Sequence, residues 1–198
     1  MKEQDQEAYW TGRYEEENTG WDIGYPSTPL KMYIDQLTDK DLQILIPGAG
    51  NSYEAEYLFN EGFKNIHVLD ISALPLQALK KRVSEFPDSQ LLQEDFFRHT
   101  GQYDLILEQT FFCSFEPSVE NRRNYAKKMH ALLKPNGKLV GVWFKHPLIE
   151  GAKRPYGGTR AEYLEYFEDS YEVVVFEDCY NSIKPRMGNE LFGIFKKS

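Results

Sequence analysis

The stretch ILIPGAGNSYEAEYL limits the fold of this chain more than any other. Ile44–Pro47 is apolar enough for a buried strand, Gly48-Ala49-Gly50 makes a tight turn, and Ser52 opens a helix. The next apolar run, IHVLD, ends on Asp70, about 20 residues after Gly50. Strand, glycine turn, helix and an acid at the next strand tip form the half-site that holds an adenosine ribose. One glycine supplies a positive φ, and the other leaves room for a ligand to approach the backbone. The same residues also fit a plain β-to-α turn with Asp70 as an N-cap before ISALPLQAL.

Downstream the pattern keeps alternating. A polar helix over Gln4–Glu16 carries Tyr9, Trp10 and Tyr14, and after the turn-rich ENTGWDIGYPSTPL, Pro29 starts a helix running to Leu37. Strands are expected at Leu42–Pro47, Ile66–Asp70, Gln90–Gln93, Tyr103–Glu108, Lys138–Phe144, Tyr171–Glu177 and Glu190–Lys196. Helices are expected at Ser52–Glu61, Leu74–Phe86, Val119–Leu133 and Arg160–Phe167. Lys134-Pro-Asn-Gly137 reads as a sharp helix stop. Such alternation implies an α/β layer fold with a mainly parallel sheet. No helix separates the last two strands, so the final one should run antiparallel. The chain is expected to be one domain, 1–198, with 1–38 as a helical lid segment. Ligands in such sheets bind beyond the carboxyl ends of the strands, where Gly48, Asp70, Asp95 and Gln109 fall.

Composition removes other classes. A net charge of −8 argues against a nucleic-acid surface, which needs clustered cations, and weakens a case for anionic membranes. The two cysteines, Cys113 and Cys179, lie in apolar contexts without metal-ligand spacing, so neither a disulfide scaffold nor a metal is expected. The N-terminus lacks an apolar signal core, and no window reaches transmembrane length. A soluble, cytoplasmic monomer acting on a small molecule is the expectation.

Three adenosine cofactors compete. A dinucleotide site wants G-x-G-x-x-G, and Tyr53 stands at the third glycine. Glu54 and Glu56 in the first helical turn would repel a diphosphate. ATP lacks its phosphate loop altogether. S-adenosylmethionine has no phosphate and carries a sulfonium cation, which suits an acidic, aromatic site. Asp95 can accept from the adenine amine, or be a solvated loop acid, and Phe96 can stack on the ring. Trp10, Tyr14 and Trp21 offer either a buried aromatic cluster or cation–π contact with a sulfonium.

With these residues in place, the chain resembles the thiopurine methyltransferase-like family of S-adenosylmethionine-dependent methyltransferases, nearest its halide and thiol (thiocyanate) methyltransferase branch. The blocks that carry the resemblance are W-x-x-x-Y-E-E-E-x-T-x-W-D-I-G-x-x-x-T-P-L from Trp10, LIPGAG from Leu45, EDFF from Glu94 and YDLILEQTFFCSFEP from Tyr103. The resemblance implies a Rossmann-like class I methyltransferase fold: a seven-stranded, mostly parallel sheet with an antiparallel last strand and helices on both faces. It implies that Trp10, Tyr14, Trp21, Gly48, Asp70, Asp95, Phe96 and Gln109 bind the cofactor: Gly48 the methionine part, Asp70 the ribose, Asp95 and Phe96 the adenine. Tyr156, in KRPYGG, matches a Pro-Pro-Tyr segment that approaches the substrate. The chain departs from the plant relatives at Tyr14 (Trp there), Gln109 (Tyr there) and Lys153-Arg154, which replaces small residues. It also has Ile46 where many methyltransferases carry an acid.

The implied activity is methyl transfer to a small soft nucleophile: a thiol, hydrosulfide, thiocyanate, halide or aromatic thiol. Such nucleophiles need no strong general base, because a fraction of thiol is ionised near neutrality. In-line placement and exclusion of water supply the rate, with the N-terminal segment as a lid given freedom by Gly12, Gly20 and Gly24. Cys113 reads as a buried small hydrophobe, Glu108 as either a cofactor ligand or a structural acid, and His67 and His130 as packed histidines. His146, after the fifth strand, is better placed than these to reach substrate but precedes Pro147 in a loop, which favours a bland role, and Lys153-Arg154 either attracts an anion or is a solvated pair. Tellurite or selenium methylation, a non-catalytic S-adenosylmethionine-binding sensor and an NAD oxidoreductase are the competing readings.

Overall fold

The computed structural model describes residues 3–149 and 151–198. Its strands are β1 (Gln43–Pro47), β2 (Asn65–Asp70), β3 (Leu91–Gln93), β4 (Tyr103–Gln109), β5 (Leu133–Phe144), β6 (Tyr171–Asp178) and β7 (Glu190–Lys197). They form one sheet in the order β3-β2-β1-β4-β5-β7-β6. β1 to β5 pair in parallel, whereas β7 runs antiparallel to both β5 and β6. The expected fold class holds, including the reversed last strand.

Helices α1 (Glu3–Glu15), α2 (Thr28–Ile34), α3 (Tyr53–Asn60), α4 (Ala73–Arg82), α5 (Val119–Leu132) and α6 (Arg160–Phe167) cover the sheet. The two-residue period of β1 divides the core. Ile44 and Ile46 pack with Leu30, Leu58, Leu76 and Leu79 from α2, α3 and α4. Leu45 faces the other way, into a cluster with Tyr125 and Met129 of α5 and Tyr163 and Phe167 of α6. Both sheet faces are therefore buried, which is why the central strands read as continuous apolar runs.

Some boundaries move. α4 ends at Arg82, four residues early, because Val83 adopts φ −126° and leaves the helix. β5 begins at Leu133, so Lys134-Pro-Asn-Gly137 lies within the strand rather than before it. Asn136 takes φ +64°, and the register with β4 shifts between Tyr103 and Leu105, which absorbs the irregular stretch. α2 stops at Ile34, and the turn continues to Leu37 through Leu37 N donating to Ile34 O at 2.9 Å. Gly12 sits inside α1 rather than at a hinge; Gly24, at φ +78°, lies in the loop that follows. Residues 1 and 2 of the expected lid segment lie outside the described residues. Among the described residues, no helix is long and apolar enough to cross a membrane.

Candidate active site

The sheet order changes direction between β1 and β4. A crevice opens at the carboxyl ends of such a switch point, because the connections on its two sides cross to opposite faces. There the chain encloses a cavity of about 920 Å³, toward the upper end of the ~300–1,000 Å³ usual for ligand sites. Trp10, Tyr14, Trp21, Gly48, Asp70, Asp95, Phe96, Gln109 and Tyr156 all line it.

The glycine turn forms its floor. Gly48 has φ +56° and Gly50 φ +53°, both in the left-handed region. A Cβ on Gly48 would lie 1.9 Å from Cδ2 of Phe111, whose ring rests on the bare backbone. Above Gly50 stand the Tyr14 hydroxyl and the Trp21 indole, 3.4 and 3.7 Å from where a Cβ would be. The N-terminal aromatics thus reach the turn. Trp21 meets Trp10 and Tyr14 edge-on, at centroid separations of 5.5 and 5.7 Å. Thr11 Oγ1 hydrogen-bonds Ser72 Oγ at 2.9 Å, which docks α1 beside the start of α4.

Asp70 is 6% exposed. Its Oδ2 accepts from Gly50 N at 3.1 Å and its Oδ1 from Ser72 N at 2.9 Å. It is not the N-cap of α4; Ser72 is, accepting from Leu74 N. Among the described residues no cation pairs with Asp70, and burial pushes its carboxyl up to about 6. Each oxygen keeps a lone pair for a further donor.

Asp95 caps the following loop, with Oδ1 accepting from Phe97 N at 2.8 Å. Phe96 is buried edge-on against Phe111. The loop is held from behind by a cluster that the sequence did not reveal. His99 Nδ1 bonds Glu94 Oε1 at 2.6 Å, and its Nε2 bonds the Tyr103 hydroxyl at 2.8 Å. Gln109 Oε1 accepts from Ser27 Oγ at 3.0 Å, tying β4 to the start of α2.

Other expectations change. Glu54 does not face the cavity: it is buried, and its Oε1 accepts from Ser27 N at 2.8 Å. Glu56 pairs with Arg82 at 2.7 Å. The case against a diphosphate therefore rests on Tyr53 and the absent third glycine, not on these acids. Glu108 also turns away from the cavity. Its carboxylate accepts from Phe111 N at 2.5 Å, from Phe112 N at 3.2 Å and from the Tyr125 hydroxyl, and Gly141 on β5 leaves room for it. It is a structural acid. His146 packs against Gly157 instead of lining the cavity, and His67 and His130 sit beside Tyr103 and Tyr171.

The far wall comes from the loops after β4 and β5. Cys113 lines it, but its thiol donates to Thr110 O at 2.7 Å, and burial pushes the thiol up, so it stays neutral. Tyr156 N donates to Cys113 O at 2.9 Å, fixing the two loops together. Arg154 lies in this wall. Arg13 and Arg186, absent from the sequence reading, also line the cavity. Arg13 stacks over Trp21 at 5.4 Å, while Arg186 pairs with buried Glu190 at 3.3 Å. Only the fold reveals these roles, because no local pattern marks either cation; Arg186 also donates from Nη2 to Trp21 O at 2.9 Å. Among the described residues no cluster of His, Cys, Asp and Glu could hold a metal.

Comparison with known proteins agrees with this geometry. The thiopurine S-methyltransferase family profile matches residues 5–197. A probable thiol methyltransferase 2 of Arabidopsis thaliana is 31% identical over 195 residues, covering 96% of this chain and 84% of that protein. Thiocyanate methyltransferase 1 of the same plant is 31% identical over 201 residues, covering 97% and 86%. Among solved structures, 1,6-didemethyltoxoflavin-N1-methyltransferase of Burkholderia thailandensis superposes with TM-score 0.76 at 17% identity, covering 98% and 87%. Magnesium protoporphyrin IX methyltransferase of Synechocystis superposes with TM-score 0.73 at 13% identity, covering 99% and 97%. Those two share the fold. With a family profile that spans nearly its whole length, the chain belongs to the thiopurine S-methyltransferase family of S-adenosylmethionine-dependent methyltransferases.

Proposed function

We propose that this single domain transfers the methyl group of S-adenosylmethionine to a small soft nucleophile: a thiol, hydrosulfide, thiocyanate or halide. The observation that carries the reading is the cavity at the switch point, which joins a buried carboxylate without a cation to an aromatic N-terminal wall. The names of the two plant relatives support the acceptor class.

The residues suit the cofactor. A buried acid without a counter-ion gains from hydroxyl donors, and the free lone pairs of Asp70 fit the two ribose hydroxyls. The bare backbone at Gly48 and Gly50 admits a close ligand, with the Phe111 ring giving way at Gly48. Asp95 and Phe96 would hold the adenine, and Gln109 would lie beside the methionine part. Arg13, over Trp21 and near the turn, would face the carboxylate of that part. Trp10, Tyr14 and Trp21 would surround the cation, each cation–π contact contributing about 0.5–2 kcal/mol. When bound, S-adenosylmethionine supplies an electrophilic methyl on a sulfonium.

The chain's own contribution is placement. α1 and the loop after it cover the glycine turn and exclude water, so that a desolvated anion keeps its nucleophilicity. Thr110, Cys113 and Tyr156 hold the acceptor loops in register. Neither Cys113 nor Glu108 serves as a base. Acceptors that enter as anions need none. The phenol of Tyr156 would donate to the acceptor.

Methyl transfer to iodide, thiocyanate, hydrosulfide and an aryl thiol tests the reading. Tyr156→Phe is expected to raise the acceptor KM by about 3- to 10-fold, the worth of one hydrogen bond. It should leave the affinity for S-adenosylhomocysteine unchanged in calorimetry. An unaltered KM for every acceptor would remove Tyr156 from the site.

A further inference from the structure

Resting on the methyltransferase reading, we propose that Arg154 makes the acceptor site selective for thiols that carry a second, anionic group, a carboxylate being the simplest. Lys153 and Arg154 both line the cavity, but Lys153 is exposed whereas Arg154 is half-buried. Its guanidinium carbon lies 5.1 Å from the Tyr9 ring, 5.7 Å from the Trp10 ring and 5.9 Å from the Tyr156 ring. Its Nε donates to Ser114 O at 2.6 Å. Among the described residues no carboxylate pairs with it.

A guanidinium fixed at Nε and flanked by rings keeps its outer N–H groups in a set plane. That fork matches a carboxylate, which takes two parallel bonds. The other cavity arginines are committed elsewhere. Arg186 pairs with Glu190, and Arg13 stacks on Trp21 beside the glycine turn. Arg154 instead belongs to the acceptor loops, through Ser114 and through Tyr156, two residues along.

Arg154 is unsuited to the nucleophile itself. Hydrogen bonds from a guanidinium would engage the lone pairs that attack, and a cation at the reacting atoms would oppose a neighbouring sulfonium. Its fork therefore serves a spectator group. The step stays balanced: the thiol proton leaves to water first. The thiolate sulfur then bonds the methyl as the old carbon–sulfur bond breaks toward its own sulfur, giving a thioether and S-adenosylhomocysteine. At about 920 Å³, the cavity has room for an acceptor larger than a single ion beside the cofactor.

The test compares 3-mercaptopropionate with 2-mercaptoethanol, at matched thiolate concentration, on the full chain. Wild type is expected to show kcat/KM at least ~10-fold higher for the carboxylate, as a charge-assisted contact implies. Arg154→Gln should collapse that ratio to near one, and Arg154→Lys should restore part of it, having charge without the fork. Binding of S-adenosylhomocysteine to wild type and Arg154→Gln is measured alongside by calorimetry. No preference in wild type would overturn the proposal. So would an equal loss for both thiols in Arg154→Gln, which would make Arg154 a latch for α1. Loss of S-adenosylhomocysteine binding in Arg154→Gln alone would overturn it too, by assigning Arg154 to the cofactor. If wild type itself binds no S-adenosylhomocysteine, the methyltransferase reading fails first.

Discussion

Asp70→Ala is expected to weaken S-adenosylhomocysteine binding by at least ~100-fold, because two charge-assisted ribose bonds at about 1.5–3 kcal/mol each disappear together. The same change strips the acceptor from Gly50 N and Ser72 N, which lie inside the turn. Buried amides left without partners cost about 1–3 kcal/mol each, so the alanine variant should also unfold more readily. Asp70→Asn separates the two effects. It keeps a side-chain oxygen for the turn but gives up the charge, and should bind ligand weakly from a better-folded state. The wild-type pH profile adds a sign. Burial holds Asp70 near 6, against 3.8 for the free group, so the ligand-accepting carboxylate is lost as pH falls below about 6. Affinity measured by calorimetry should fall there in wild type and stay flat in Asp70→Asn. Unchanged affinity in a folded Asp70→Ala variant would remove Asp70 from the site.

Glu108→Ala carries the largest expected effect on stability. The carboxylate is fully buried and accepts from Phe111 N, Phe112 N and the Tyr125 hydroxyl. Alanine leaves these three donors unpaired and opens a cavity, so a loss of about 3–5 kcal/mol is expected in urea unfolding. Glu108→Gln keeps an oxygen for the amides and an N–H for the tyrosine, and should unfold much more like wild type. The pH dependence is distinctive. Burial raises Glu108 from 4.5 to about 7, so the folded state binds its proton more tightly than the unfolded state. Its contribution is full below pH 4.5 and is lost as pH rises to 7, on the order of 3 kcal/mol. The stability difference between wild type and Glu108→Gln should therefore shift in favour of Gln between pH 5 and pH 7.5. A pH-independent difference would contradict this placement. The consequence reaches the site, since Glu108 anchors the backbone of Phe111, whose ring rests on Gly48.

Much of this architecture was legible because short-range rules and burial agree. The apolar runs of β1, β2 and β4 alternate with helices, Tyr14 and Trp21 of the N-terminal segment reach the glycine turn, and Trp10 lines the cavity beside them. What remained hidden depends on contacts that no local pattern marks. Glu54 reads as a dipole-compensating acid in a first turn, yet Ser27 claims it from another segment. Asp70 and Ser72 both suit an N-cap; the turn's need for an acceptor at Gly50 N decides between them. The helical pattern of Leu74–Phe86 overruns its end because nothing local marks Val83 as the exit. His99 carries no motif, and only the fold brings it between Glu94 and Tyr103. Arg154 looked like half of a solvated pair with Lys153, and tertiary contacts with Tyr9, Trp10 and Ser114 separate the two.

The most direct test of the account is a single-turnover reaction with methyl-labelled S-adenosylmethionine and hydrosulfide or a small thiol, run with excess enzyme. The account predicts label in the methylated acceptor, an equal yield of S-adenosylhomocysteine, and much slower label transfer by Asp70→Ala at the same enzyme concentration. Tight S-adenosylmethionine binding with no label leaving it, across thiol, hydrosulfide, thiocyanate and iodide, would contradict it.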